Sequence, residues 1–90
     1  MYTVYILYSA PFDKIYIGFS QNLEQRLLSH NELGKKGWTI KFRPWQLIYK
    51  EEFETKVEAM AREKFLKSGT GRDWIHSYLM PQLHKDSYPP

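Results

Sequence analysis

The sequence contains no cysteine, which excludes a disulfide framework and any metal site with thiolate ligands. It also has no long hydrophobic run, and its N-terminal residues carry neither the basic segment nor the extended apolar stretch of a signal peptide. We therefore expect a cytoplasmic protein without a membrane span.

The length of 90 residues leaves room for one modest hydrophobic core. We predict a single domain over residues 1–83, followed by a frayed tail at residues 84–90. Aromatic residues make up 17% of the chain, so many of them must be packed inside. The net charge of +3 is compatible with a polyanionic partner. We expect a monomer.

Two stretches of β-branched and aromatic residues predict the first strands, at residues 2–8 and 14–19. The connection between them is too short for a crossover, so they should pair antiparallel. Tyr5 and Leu7 would lie on one face of the first strand and Val4 and Ile6 on the other. Neither face is clearly polar, which predicts a central strand. Gly18 interrupts the second strand and indicates a bulge or a place where another backbone or a ligand comes close.

The remaining elements are predicted from capping and turn residues. Ser20 or Asn22 can cap a helix over residues 23–31, and a third strand is expected at residues 45–49, with a possible extension to 53. The T-x-x-E pattern from Thr55 opens a helix to residue 67, which a left-handed Gly69 or Gly71 should end. A third helix would be capped by Thr70. These elements predict an α/β fold with a small three-stranded antiparallel sheet flanked by three or more helices.

Five residues are candidates for chemistry, and each has a purely structural alternative. Tyr5 and Tyr16 can offer hydroxyls to a phosphate or a water, or can be packing residues with satisfied hydroxyl groups. Arg26 and His30 are four residues apart on one helix and can reach one site, or can form a solvated face. Glu63 lies in a mostly apolar helical sector, where a carboxylate needs a cation or a donor. A pair with Lys67 would also explain it.

A basic, aromatic stretch follows the first helix. Two aromatic residues, Trp38 and Phe42, are interleaved there with cationic residues that suit a single-stranded nucleic acid through charge and stacking. The cationic residues are Lys35, Lys36, Lys41 and Arg43.

Taken together, these motifs resemble the GIY-YIG nuclease family, in the small single-domain form found at the N-terminus of excision-repair nucleases. The first motif stands here as residues 3–5 and the second as residues 16–18, with ten residues, 6–15, between Tyr5 and Tyr16. The following R-x-x-x-H pattern is Arg26 and His30, and residues 58–67 resemble the helix whose glutamate is Glu63. The resemblance covers residues 2–79.

The resemblance implies a metal-dependent endonuclease that hydrolyses phosphodiester bonds in DNA, as in DNA repair, with Mg²⁺ or Mn²⁺ as cofactor. Glu63 would hold the metal, Arg26 would stabilise charge on the scissile phosphate, and Tyr5 would orient or activate the attacking water with help from Tyr16. His30 would assist proton transfer. A single carboxylate ligand such as Glu63 suits magnesium, because this ion keeps several of its bound waters and also binds the substrate phosphate.

The sequence departs from the family in its first glycine, which is Thr3, and in having no asparagine after Asn31. It also has no room for the second domain that commonly gives specificity, so DNA binding should be weak and rest on phosphate contacts. The substrate would be branched, nicked or single-stranded DNA, with a possible recruiting protein. The alternative is a nucleic-acid-binding or partner-docking module with the same fold and no turnover.

Overall fold

The computed structural model describes residues 1–35 and 37–82. The predicted tail at residues 84–90 and the predicted contact residue Lys36 lie outside this part of the chain. The described part contains three strands and three α-helices, in the order β-β-α-β-α-α along the chain. This is the predicted α/β architecture.

A three-stranded antiparallel sheet forms the centre of the fold. Its strands are β1 (Tyr2–Ser9), β2 (Lys14–Ser20) and β3 (Gln46–Phe53), in the order β2-β1-β3. β1 is therefore the central strand, as predicted from its two apolar faces. The register pairs Tyr5 with Gly18. No bulge accompanies Gly18; the irregularity lies instead between β1 and β3, at Ile6 and Leu7.

The two faces of β1 belong to two separate cores. Val4 and Ile6 point into a cluster closed by residues of the C-terminal helices, such as Leu66. Tyr5 and Leu7 point into a second cluster around the buried Trp45. The alternation of side chains along the strand thus puts Tyr5 and Leu7 on one face and Val4 and Ile6 on the other, as predicted. The face of Tyr5 is the one opposite the larger core.

Helices cover both faces of the sheet. α1 (Leu23–Leu28) continues as a π-helical turn (Ser29–Leu33), and a 3₁₀ segment (Trp38–Phe42) follows on the same face. α2 (Lys56–Lys67) and α3 (Gly69–Trp74), which continues as a π-helical turn (Ile75–Leu79), cover the other face.

Two of the predicted helix caps are confirmed by hydrogen bonds. The Asn22 side chain accepts from the backbone N–H of Gln25 at 3.1 Å, at the start of α1. The Thr55 hydroxyl accepts from the backbone N–H of Glu58 at 3.2 Å, at the start of α2.

The predicted junction between α2 and α3 is wrong. Ser68 is extended, and its hydroxyl caps α3 by accepting from the N–H of Gly71, so Thr70 lies inside that helix. Neither Gly69 nor Gly71 adopts a positive φ. Gly71 instead allows α3 to pack closely against the end of α2, because a Cβ at this position would clash with the carbonyl oxygen of Phe65. The two helices therefore meet without a left-handed residue.

Within residues 1–35 and 37–82, no helix has the length and hydrophobicity needed to cross a bilayer.

Candidate active site

Four of the five predicted site residues line one cleft of about 420 Å³. Tyr5 comes from β1, Tyr16 from β2, Arg26 from α1 and Glu63 from α2. These side chains approach from both sides of the sheet and meet beside Gly18. The cleft is therefore a place where two phenols, a guanidinium and a carboxylate can act on one group.

Gly18 makes room for the two phenols. A Cβ at this position would lie 2.9 Å from the hydroxyl oxygen of Tyr5 and 3.0 Å from Cε1 of Tyr16, which is too close for either ring to stay in place. The groups that approach Gly18 are thus two tyrosine side chains, whose ring centroids are 6.2 Å apart, and not the backbone or ligand that the sequence suggested.

His30 does not line the cleft directly but lies behind Tyr5. The hydroxyl oxygen of Tyr5 is 3.0 Å from Nε2 of His30, and Nδ1 of His30 is 3.1 Å from the hydroxyl oxygen of Thr39. Tyr5 and His30 are both buried, with 1% and 8% of their surfaces exposed. His30 therefore contacts the phenol of Tyr5 and does not itself face the cleft.

Burial has the largest effect on the pKa values of Tyr5 and His30. It raises the pKa of Tyr5; the neighbouring Tyr16 and Glu63 raise it further, and the charge of Arg26 lowers it. Burial also lowers the pKa of His30, with Arg26 and Arg43 adding to the effect. Both groups are neutral near pH 7 as a result. We therefore assign the Tyr5 hydroxyl as donor to Nε2, with the Nδ1–H of His30 donating to Thr39.

Arg26 is exposed on the first helix and reaches into the cleft. Its charge lowers the pKa of Tyr5 and that of His30, so the guanidinium acts on both members of the pair. A planar guanidinium suits a phosphate better than an ammonium does, because it can donate two parallel hydrogen bonds.

Glu63 fits both interpretations that the sequence left open. Its carboxylate lines the cleft, and Oε2 also lies 3.7 Å from Nζ of Lys67, with the side chain of Glu63 22% exposed and that of Lys67 50% exposed. A long pair between such exposed groups is weak. The carboxylate can therefore exchange Lys67 for another cation.

The predicted nucleic-acid contacts are not equivalent in the structure. Lys35 and Lys41 are exposed. Arg43 is turned inward: its guanidinium donates to three backbone carbonyl oxygens, those of Ser29, His30 and Gly34. We therefore remove Arg43 from the proposed contacts, since its donors hold the turn after α1 in place.

Lys56 and Thr39 belong to the site but were not among the predicted residues. Lys56 lines the cleft, and its position seven residues before Glu63 puts both on one face of α2, a periodicity that could have revealed it. Thr39, which orients His30, gave no comparable signal because its contact joins the π-helical turn to the 3₁₀ segment, and the spacing of nine residues follows no helix or strand periodicity.

Comparison with known proteins agrees with this geometry. The model of the GIY-YIG catalytic domain matches residues 1–76. The chain belongs to the GIY-YIG family. This is a family of nucleases that generally bind DNA, and the resemblance inferred from residues 3–5 and 16–18 is confirmed.

The chain is also similar in sequence to UPF0213 proteins over most of its length. A UPF0213 protein of Limosilactobacillus reuteri is 40% identical over 73 residues, which are 79% of this chain and 75% of that protein. A UPF0213 protein of Clostridium perfringens is 32% identical over 85 residues, 94% of this chain and 90% of that protein.

A solved structure shares the fold. The solution NMR structure of a UPF0213 protein from Bacillus halodurans aligns with a TM-score of 0.50 and 25% identity, over 86% of this chain and 84% of that one. The fold of this chain, with its three-stranded sheet between helices, is thus similar to that of a UPF0213 protein determined by NMR.

Proposed function

We propose that this GIY-YIG protein is a divalent-metal-dependent endonuclease that hydrolyses phosphodiester bonds in DNA. One observation carries the proposal: Tyr5, Tyr16, Arg26 and Glu63, from four different elements, line a single cleft. A phosphate in that cleft would meet a guanidinium and two phenols, next to a carboxylate.

The residues of the cleft fit a magnesium or manganese ion held by one protein ligand. Glu63 offers a carboxylate whose present partner, Lys67, is 3.7 Å away and half exposed. Hard cations of this class keep several waters and need only one or two carboxylates with substrate phosphate. When bound, such an ion would polarise the scissile phosphate and supply an activated water.

The chain's own residues would carry the other steps. Arg26 binds the non-bridging oxygens of the phosphate and stabilises the charge that develops on them. Tyr5 accepts a hydrogen bond from the attacking water while its own proton is held toward Nε2 of His30, 3.0 Å away. Tyr16, beside Tyr5, positions the phosphate from the β2 side.

Proton transfer from Tyr5 to His30 would resolve a difficulty in using a phenol as a base. A buried phenol with a raised pKa is neutral and accepts protons poorly. His30 is neutral and in hydrogen-bond contact, so it can take the phenolic proton as the water gives up its own. His30 would thus act through Tyr5, and Thr39 would hold its ring.

Cleavage of supercoiled plasmid in Mg²⁺ tests the proposal. Wild type should nick the plasmid, whereas Glu63→Ala and Tyr5→Phe should lower the rate by at least about 100-fold, the usual effect of removing a general base or a transition-state contact. Glu54→Gln and Tyr78→Phe remove the same groups at exposed positions and serve as matched controls. Nicking at the wild-type rate by both Glu63→Ala and Tyr5→Phe would contradict the mechanism.

A second candidate is a nucleic-acid-binding or partner-docking module that keeps the fold without turnover. It is favoured by the exposed indole of Trp38, with 47% of its surface open, and by the exposed Lys35 and Lys41 in the same stretch, which suit stacking and phosphate contacts without turnover. Salt-sensitive DNA binding that persists in Glu63→Ala, together with no nicking by wild type, would support it. In either case we propose a cytoplasmic monomer acting on branched, nicked or single-stranded DNA.

A further inference from the structure

A groove runs along the outer edge of β2, next to the cleft. It consists of two adjoining hollows of about 280 and 230 Å³ that share Ile15, Trp38 and Arg72. β2 pairs only with β1 in the described part of the chain, so this edge of the sheet is open. We call this feature the β2 groove.

Trp38 gives the β2 groove an aromatic wall. The indole is 47% exposed, although its ring centroid lies 4.7 Å from that of Phe42 and 5.7 Å from that of Trp45. These two neighbours fix the ring in place while leaving nearly half of its surface open. A fixed, exposed indole is a platform on which a base can stack at little entropic cost.

Cationic side chains line the same groove. Lys14, Lys67 and Arg72 contribute three positive charges, against one carboxylate, that of Asp13. Asp13 already accepts a hydrogen bond from the Tyr8 hydroxyl at 3.0 Å. Arg72 uses Nε to hold the carbonyl oxygen of Lys67, which orients its terminal nitrogens. The groove therefore has the charge that a phosphate backbone requires.

The β2 groove continues into the cleft. Tyr16 lines both, and Lys67, which lines the groove, is the ion-pair partner of Glu63 in the cleft. A polymer lying along the edge of β2 would thus pass from Trp38 to Tyr16 and bring a phosphodiester to the four residues of the cleft.

We propose that the β2 groove binds single-stranded DNA and guides it into the cleft. Only an unpaired base can offer its face to Trp38, because the bases of a duplex are stacked on both sides. Lys14 and Arg72 hold the flanking phosphates. The inference rests on the proposed function, since it identifies the DNA that the cleft receives as a single strand, such as a flap or a frayed end.

Fluorescence anisotropy in EDTA tests this binding without any cleavage. The probes are a labelled oligo-dT of about 20 nucleotides, long enough to span a site of 4–16 nucleotides, and a duplex of the same length. Wild type should bind the single strand more tightly than the duplex. Trp38→Leu should weaken binding of the single strand by roughly fivefold or more, and leave the salt dependence unchanged.

The double variant Lys14→Gln/Arg72→Gln tests the phosphate contacts. Each lost contact should reduce the slope of log K against log salt concentration by about 0.7. Tyr78→Leu removes an aromatic residue that is 54% exposed and stacked on Trp74, away from the groove. Lys50→Gln/Lys64→Gln removes the same charge at exposed positions elsewhere. Neither control should weaken binding comparably.

Two results would overturn the inference: duplex binding as tight as single-strand binding, or control variants that weaken binding as much as the groove variants. Since Lys14 and Arg72 are exposed, their double variant remains informative even if Trp38→Leu fails to fold. The plasmid assay reports separately on the cleft. Nicking lost in Glu63→Ala with unaffected binding by the groove variants would refute the groove and leave the nuclease intact.

Discussion

The hydroxyl oxygen of Tyr5 lies 3.0 Å from Nε2 of His30, between two side chains that are almost fully buried. The contact joins the central strand to the turn that follows α1, across 25 residues of sequence. It depends on the protonation of His30, because an imidazolium has no acceptor to offer a phenol. The stability of the site should therefore depend on pH.

The first prediction is that the free energy of unfolding falls as the pH is lowered below about 6.5, the ordinary pKa of histidine. Burial lowers the pKa of His30 in the folded state, so the unfolded chain takes up a proton first. Stability is then lost from about pH 6.5 down to the lower folded pKa, and is fully present above this window. Urea unfolding between pH 8 and pH 5 measures it.

His30→Gln should flatten this dependence, since glutamine offers an acceptor at similar reach and does not titrate. His76 is exposed on the C-terminal helical segment, so His76→Gln should retain the slope of wild type. A slope in His30→Gln as steep as that of wild type would show that another group is responsible.

The second prediction concerns Gly18→Ala. The added methyl group would meet the Tyr5 hydroxyl at 2.9 Å and Tyr16 at 3.0 Å, which is overpacking and should cost about 1–3 kcal/mol. It should also move Tyr5 away from His30 and so lower nicking activity. Gly69→Ala is the matched control: a Cβ added there would have no atom from elsewhere in the fold within 4 Å, and the φ of Gly69 is compatible with alanine.

Urea unfolding of the two variants separates the effects of space and backbone freedom. Gly69→Ala should be neutral or more stable by up to about 1 kcal/mol, because alanine restricts the unfolded chain. Equal losses in both variants would mean that the cost arises from the loss of glycine as such, and the proposed crowding of Tyr5 would be wrong.

The sheet and the faces of its strands were predictable from the sequence because they depend on local patterns. Alternation in residues 2–8 placed Tyr5 and Val4 on opposite faces. Thr55 marked the start of α2, and Asn22 was one of two candidates, with Ser20, for the cap of α1. Such patterns act within a few residues, where chain connectivity already fixes the distances.

The supporting contacts of the site were not predictable in this way. Thr39 bonds to His30, and Arg43 donates to the backbone of the turn after α1, yet neither contact follows from spacing or periodicity. Arg43 looked like a surface cation in a basic stretch because sequence shows charge and does not show direction. The Ser68 junction was mispredicted because Gly71 serves packing against α2 and not a turn.

The third prediction is that Lys67→Met strengthens metal binding to the isolated protein. Lys67 lies 3.7 Å from the Glu63 carboxylate and competes with any cation there. A partly exposed pair of this kind is worth about 0.2–1 kcal/mol, so Mn²⁺ should bind up to about fivefold more tightly in a calorimetric titration without DNA.

Lys64→Met removes a lysine from the same helix at an exposed position and should leave Mn²⁺ binding nearly unchanged. Glu63→Gln should abolish the binding. Tight Mn²⁺ binding by Glu63→Gln would place the metal elsewhere and remove Glu63 from its proposed role.

The fourth prediction is that Arg43→Lys destabilises the protein by about 1–3 kcal/mol without changing its DNA binding. The guanidinium of Arg43 donates to the carbonyl oxygens of Ser29, His30 and Gly34, and an ammonium cannot reproduce this planar set. The cost is that of losing hydrogen bonds from a charged donor to these partly buried carbonyl groups.

Lys41→Gln is the control, since Lys41 is exposed and its replacement should change stability by no more than about 0.5 kcal/mol. Urea unfolding gives the stabilities, and the salt dependence of oligo-dT binding tests the contact with DNA. Arg43→Lys keeps the positive charge, so Arg43→Gln is measured beside it. A salt slope lowered by about 0.7 in Arg43→Gln, with stability intact, would return Arg43 to the DNA-binding surface.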